Sequence, residues 1–333
     1  LTLNGDANDA DDGNSNDDIS FANNVVVSAG GALSVSATTG ELSGGTNLTF
    51  QVGDTLTIGD PLTVTGTLTI IDASGNGIIL GGATATNELK LTDADLDNIT
   101  ATNLIFNTTG NITVDGVTQP NTISGGIELN ATDATSVVTF KTTASTFGTL
   151  DINADAGVSI EIGVTTSGAV TLDADADDNG TGNLVVAASG SLTTGGNALS
   201  ITANDVFFNG SLNSGAGLVT ITDSDGTGIG LIPLNTDDVL GRLNLSQADL
   251  NMITSTAGLT LQTSAGILVN ENTPPTNLSG TLTLDAGTSI TFSGTQSSFA
   301  SLDAQADDGI NVDVNLSTTG DLTLNGDANL SLI

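Results

Sequence analysis

Cysteine and histidine are both missing from this 333-residue chain. Without thiols there is no disulfide, no thiolate metal site and no cysteine nucleophile. Without imidazole there is no ordinary base near neutral pH and nothing of that kind to activate a serine. Tryptophan and tyrosine are absent too, which removes the aromatic platforms on which a sugar ring could stack. Only three residues are basic, Lys90, Lys141 and Arg242, against 38 acidic ones, for a net charge of −35. Neutralising phosphates takes Lys and Arg, so nucleic acid is excluded as a partner. An anionic membrane surface is disfavoured for the same reason. No apolar run approaches the roughly 18 residues of a membrane span, so no membrane insertion is expected. No signal peptide is recognisable either. Yet charged residues are only 12% of the chain and hydrophobic ones 38%, which is not the profile of a disordered polypeptide. Thr, Ser, Asn and Gly dominate the rest, with many β-branched Thr, Val and Ile.

What the chain does have is repetition. Leu1-Thr-Leu-Asn-Gly-Asp-Ala-Asn8 returns unchanged at Leu322 to Asn329. Ser145-Thr-Phe-Gly-Thr-Leu-Asp-Ile-Asn-Ala-Asp-Ala-Gly157 matches the segment Ser297 to Gly309 at an offset of 152. Ala94 to Thr100 matches Ala248 to Thr254 at 154, and Val170 to Asp175 matches Leu322 to Asp327 at 152. These offsets divide the chain into a first block at about 1–169, a second at about 170–321 and the opening of a third at 322–333. A chain that ends by starting over, with no initiator Met, is expected to be a window on a longer repeat array. The blocks differ by about 17 residues, most of it between Ala37 and Leu68, because Leu33 pairs with Leu199 at 166 while Asp72 pairs with Asp223 at 151. A stacked architecture tolerates such an insertion and a closed globule does not.

Apolar-x-apolar triplets recur about every eleven residues. In the first block they include Leu33-x-Val35, Leu48-x-Phe50, Leu56-x-Ile58, Leu62-x-Val64 and Leu68-x-Ile70. In the second they include Leu184-x-Val186, Leu199-x-Ile201, Val206-x-Phe208, Leu259-x-Leu261, Ile267-x-Val269, Leu282-x-Leu284 and Ile290-x-Phe292. Alternation at period two is the strand signature, and the middle residue is usually Thr or Ser, suited to a solvated face. Gly, Asn and Asp turn signals separate the triplets. Helical periodicity is nearly absent; its best candidate is one or two turns at most, at Asp93 to Thr100, whose acids sit at the start, where the helix dipole favours them. Two or three triplets per coil give a rung of about 20–25 residues, and parallel rungs stack about 4.8 Å apart. The expected fold is all-β: one continuous right-handed parallel β-helix, or β-solenoid, of about 15 rungs, its hand following from crossover chirality. Phe147 and Phe299 should then repeat one interior position, and Asn side chains in the turns could form hydrogen-bonded ladders along the axis.

One motif carries a family resemblance. Gly77-Ile-Ile-Leu80, Leu89-Lys-Leu-Thr-Asp-Ala-Asp-Leu-Asp-Asn-Ile-Thr100 and Gly110-Asn-Ile-Thr-Val-Asp-Gly116 form one copy. Gly228-Ile-Gly-Leu231, Leu243-Asn-Leu-Ser-Gln-Ala-Asp-Leu-Asn-Met-Ile-Thr254 and Leu259-Thr-Leu261 form the other. The arrangement resembles a repeat of very large bacterial surface proteins similar to the filamentous haemagglutinin family of secreted adhesins, over about 40 residues in each block. That resemblance implies a right-handed β-helix, export across an outer membrane, and a place at the bacterial cell surface or in an extracellular fibre. The family's secretion domain has no recognisable counterpart in the chain.

Acid clusters are the candidate chemistry. Asp173-Ala-Asp-Ala-Asp-Asp-Asn-Gly180 spaces carboxylates as the first half of a calcium loop does, which makes Asp173, Asp175, Asp177 and Asp178 candidate calcium ligands. Asp178 stands where that loop needs Gly, and the closing Glu is missing. Asn4-Gly-Asp-Ala-Asn-Asp-Ala-Asp-Asp-Gly13 is the corresponding run of the first block, with Asp6, Asp9, Asp11 and Asp12 as candidates. Asp303, Asp307 and Asp308, and the pair Asp223 and Asp225, are thinner versions. The competing reading is a set of solvated turns that keep the chain soluble and discourage lateral aggregation. Calcium is thus a candidate cofactor and no other is indicated.

Glycoside hydrolysis needs only two carboxylates about 5–9.5 Å apart. Even so, a strongly negative surface without His or clustered Arg is ill-suited to acidic polysaccharides, and no enzyme activity is expected. Thr63-x-Thr65, Thr67-x-Thr69 and Thr281-x-Thr283 would suit an ice-binding face, although ordinary outward Thr accounts for them. Asn47-Leu-Thr49, Asn98-Ile-Thr100 and Asn277-Leu-Ser279 have the form of glycan acceptors. The expected function is a structural or adhesive extracellular protein that self-associates into a fibre, end to end or laterally, and meets glycans or proteins of a host or neighbouring cell. The alternative is a glycan- or ice-binding solenoid module.

Overall fold

The structure is a computed structural model. It describes the chain except residues 5–17, 38–40, 83–85, 120–121, 233–240, 271–274, 276 and 329–333. Strand makes up 56% of it and helix 3%, so the all-β expectation is met. The chain divides into two compact units, Leu1–Ala154 and Asp155–Ile333. In each, parallel strands stack into a β-solenoid, with about 12 turns in all. Among the described residues no helix is long and apolar enough to cross a membrane.

Each quoted triplet lies in a strand with both apolar residues buried. Inward residues stack in columns because the strands pair in register. In the first unit Val25, Leu48, Leu68, Leu104, Ile127 and Leu150 follow one another along one column. In the second, Leu199, Val219, Leu259, Leu282, Leu302 and Leu322 do the same. The repeated phenylalanines are interior, as expected, and each has a partner. Phe140 and Phe147 meet edge to face at 6.2 Å, and Phe292 and Phe299 do so at 6.3 Å. Asparagines bond along the stack at turns, as Asn47 to Asn24 and Asn204 to Asn183, and the longest ladder lies on strands. Asn130 donates to Asn107 at 2.7 Å and Asn153 donates to Asn130 at 2.8 Å.

About 12 turns replace the expected 15 because two kinds of turn coexist. Most plain turns advance the register by 20 to 23 residues, as from Leu48 to Leu68 or from Ile127 to Leu150, and one advances it by 29, from Val170 to Leu199. Turns that carry a helix advance it by 36 from Leu68 to Leu104, and by 40 from Val219 to Leu259. These long turns are built by the two copies of the motif, at 77–116 and 228–261. In the first unit the strand Leu89–Leu91 is set between two others: it pairs with Ile78–Gly81 and bridges from Lys90 to Thr55, beside Leu56–Ile58. Helix α1, Asp93–Asp97, follows it directly. In the second unit the strand Leu243–Leu245 pairs with Ile229–Leu231, lies beside Asp205–Phe208, and leads into α2, Gln247–Asn251. The chain thus inserts an extra strand into one face of the stack and needs a compact way back.

Both helices have only five residues, too few to persist without help. Each has a capping box: Thr92 with Asp95, and Ser246 with Asp249. The same acid then reaches out of the helix. Asp95 Oδ1 accepts from the backbone N–H of Ile58 at 3.1 Å, and Asp249 Oδ1 accepts from that of Phe208 at 3.1 Å. One aspartate therefore starts the helix and satisfies the backbone of a neighbouring strand.

Candidate functional site

A second repeated aspartate closes the turn ahead of each inserted strand, and here the two units part. In the first unit Asp72 ends a strand with its side chain turned inward. Its Oδ1 accepts from Ser74 N at 2.9 Å and Ser74 Oγ at 2.6 Å. Its Oδ2 accepts from Gly77 N at 2.8 Å and Thr108 Oγ1 at 2.8 Å. Gly77 is needed there: its φ of +116° is hostile to a side chain, and a Cβ would lie 2.4 Å from Asn111 O. Burial pushes the Asp72 carboxyl up, but the bonds from Ser74, Gly77 and Thr108 together outweigh it and hold the group below its ordinary value.

In the second unit Asp223 repeats half of this. Its Oδ2 accepts from Gly228 N at 2.8 Å and Thr263 Oγ1 at 2.7 Å. Where Ser74 supplied donors, the chain has Asp225, which cannot donate when ionised. Asp223 is 5% exposed, and its Oδ1 is buried without a hydrogen-bond partner. Burial, and then the adjoining Asp225 carboxylate, raise Asp223 from 3.8 to about 6 against the pull of Thr263 and Gly228. The folded chain therefore holds this proton more tightly than the unfolded one. The associated stability is whole below about pH 4 and is lost as pH rises to about 6, roughly 2–3 kcal/mol in a chelating buffer. Urea unfolding of the second unit across that range checks it, and Asp225→Ser should flatten the decline.

The Asp173–Asp178 run folds into a loop around one of its own carboxylates. Asp175 is fully buried, and its oxygens accept from Gly180 N at 3.1 Å, Thr181 N at 3.4 Å, Gly182 N at 3.2 Å and Ser224 Oγ at 2.6 Å. Asp173 Oδ1 accepts from Asp175 N at 3.1 Å, and Asp177 Oδ2 accepts from Asn179 at 2.7 Å. Burial raises the Asp173 carboxyl, and Asp178, Asp175 and Asp155 add to this by repulsion, against the bond from Asp175 N. Asp178, the residue standing where a calcium loop needs Gly, does adopt a left-handed φ of +52°. Asp175 thus points inward while Asp177 and Asp178 are exposed. Asp6, Asp9, Asp11 and Asp12 lie outside the described residues. Among the described residues no three acids are placed to hold one metal ion.

The pattern of triplets hides one further acidic pair. Glu128 and Asp151 are the middle residues of Ile127-x-Leu129 and Leu150-x-Ile152 and pair directly across adjacent parallel strands. They line a groove of about 330 Å³ with Asn103, Ile105 and Thr149, floored by Gly125 and Gly126. Asn130 donates to Glu128 at 2.7 Å, while Asp151 Oδ1 is buried without a partner. Burial first, and then the Glu128 charge, push the Asp151 carboxyl up. Such a pair can share a proton or take up a cation. A scan for acids at two outward positions 23 residues apart would have found it.

The threonine pairs do not form a uniform array. Thr67 stacks between Asn47 and Asn103, and Thr69 between Thr49 and Ile105. The amides of the three asparagines named above as having the form of glycan acceptors are engaged: Asn47 with Asn24 at 2.9 Å, Asn98 with Ile58 O at 2.7 Å and Asn277 with Asn251 O at 2.9 Å.

By fold the chain is a parallel β-solenoid protein. Compared with family models, with curated proteins and with solved structures, it matches none of them.

Proposed function

We propose that this chain is a structural, adhesive β-solenoid that forms or extends an extracellular or cell-surface fibre. The observation that carries the reading is the in-register stacking of parallel strands in each unit, whose apolar columns and hydrogen-bond ladders continue from rung to rung. Leu322 and Leu324 stand in register on Leu302 and Ala304, which are buried, yet are themselves 45% and 42% exposed. Rungs joined through backbone groups in this way can pair with a rung of a second copy of the chain. A net charge of −35 disfavours contact along the sides, so association is directed to the ends. The haemagglutinin-like motif agrees, since each copy builds an elaborated turn without closing the stack. Glycans or proteins of another cell are the partners this reading supplies.

The double variant Leu322→Asp, Leu324→Asp tests it. The wild-type protein should form filaments in electron micrographs and sediment as larger species with rising concentration. The variant should stay a single species with an unchanged thermal midpoint. Single short particles at every wild-type concentration, or equal assembly by the variant, would sink the reading.

A further inference from the structure

The Asp223 turn departs from its own counterpart in a way that calls for a ligand. In the Asp72 turn every carboxylate oxygen is met by a donor. In the Asp223 turn one oxygen has no donor, lies buried, and has a second acid beside it. Two ionised carboxylates in contact repel, and the buried one has also lost water. Either a proton or a cation must sit between them. The chain's strong negative charge concentrates cations at its surface. The oxygens nearby are hard, neutral or anionic, as calcium prefers.

We propose that Asp223 Oδ1 and the Asp225 carboxylate bind a divalent, oxygen-preferring cation, calcium by its chemistry, in the second unit. Asp225 is held for the task, its Oδ1 accepting from Thr227 N at 3.0 Å and Thr227 Oγ1 at 2.8 Å. Its Oδ2 faces Gly180, 3.1 Å from where a Cβ would stand, and Asn204 Oδ1 lies 3.8 Å from the same point. A side chain at Gly180 would crowd Asp225 Oδ2, so the glycine keeps that oxygen clear as one of the six to eight of a calcium shell. Thr227 is exposed and Asp225 half-buried, so the Asp225 side of the pair faces solvent while Asp223 Oδ1 is buried behind it. Two carboxylates give a weak site, in the roughly 10⁻⁴–10⁻³ M range of extracellular calcium modules.

The test uses the full chain and its own internal control, Asp225→Ser, which installs the donor arrangement of Ser74. In calcium chloride the wild-type midpoint should rise by several degrees over EDTA at pH 7.5, and titration calorimetry should show a site lost in the variant. Asp225→Ser should be more stable than wild type in EDTA and gain less from calcium. Asp225→Asn, which also removes the charge, should behave alike if the serine variant folds poorly. Three results would overturn the proposal. The first is equal midpoints for wild type in calcium and EDTA. The second is an equal calcium gain in wild type and both variants, which places the ion elsewhere. The third is a midpoint that falls as pH rises through 6 identically with and without calcium, which means the pair holds a proton only.

Discussion

Asp249→Ala is expected to destabilise the second unit by about 3–5 kcal/mol, the larger effect of the two helix-bracket positions. Asp249 is 1% exposed, and its carboxylate accepts from Ser246 N at 2.9 Å, Ser246 Oγ at 2.5 Å and Phe208 N at 3.1 Å. Truncation removes the helix cap and leaves buried donors with no acceptor, each worth about 1–3 kcal/mol. The corresponding Asp95→Ala removes the same bonds, from Thr92 and Ile58, but Thr92 is exposed and water replaces part of them. Its cost should be nearer 1–2 kcal/mol. Because solenoid rungs touch only their neighbours, the loss is best read locally. Hydrogen exchange should show protection failing first around Asp205–Phe208 and Leu243–Leu245 in Asp249→Ala. Uniform loss of protection along the unit would contradict the bracket assignment.

Phe292→Ala should cost about 3–5 kcal/mol as well, by a different route. Its ring is fully buried and meets Phe299 edge to face at 6.3 Å with an interplanar angle of 81°. Removing it gives up transfer free energy and the aromatic contact, and leaves a cavity that rigid flanking rungs are poorly placed to collapse. Phe292→Leu refills most of the volume and should recover more than half of the loss. Phe140 stands in the same relation to Phe147 in the first unit, so Phe140→Ala should give a loss of similar size. Denaturant midpoints with unchanged slopes check both; a loss under about 1 kcal/mol would mean that the pocket closes around the missing ring.

These devices were unequally visible in the sequence. The triplet Leu48-x-Phe50 announces a strand with two buried residues because alternation is a local property, fixed by the geometry of one extended segment. The start of α1 was legible in the acids at Asp93 and Asp95, but the helix ends at Asp97, and Ile99 and Thr100, expected in it, already belong to the next strand. The count of rungs failed because Leu89–Leu91 looks like any other triplet, yet it enters the stack as an additional strand. The Asp173–Asp178 run reads as evenly spaced acids, but Asp175 turns inward to Gly180, Thr181, Gly182 and Ser224. Ser224 is 49 residues away, beyond any local pattern.

The sequence by itself determined that the chain is all-β, that it repeats at about 150 residues, and that Phe147 and Phe299 are interior equivalents. Each follows from periodicity or recurrence, which short-range sterics and burial impose directly. Tertiary structure alone decided which acids are structural and which confront one another. Asp72 and Asp223 are aligned by sequence, yet burial ends in a stabilised carboxylate at the first and in a strained pair at the second. The difference lies in the donors brought to each buried oxygen: Thr108 and Thr263 arrive from the next rung, and Asp225 stands where Ser74 donates. A carboxylate's charge state depends on everything within a few ångströms, and in a solenoid much of that comes from chain 20 to 40 residues away.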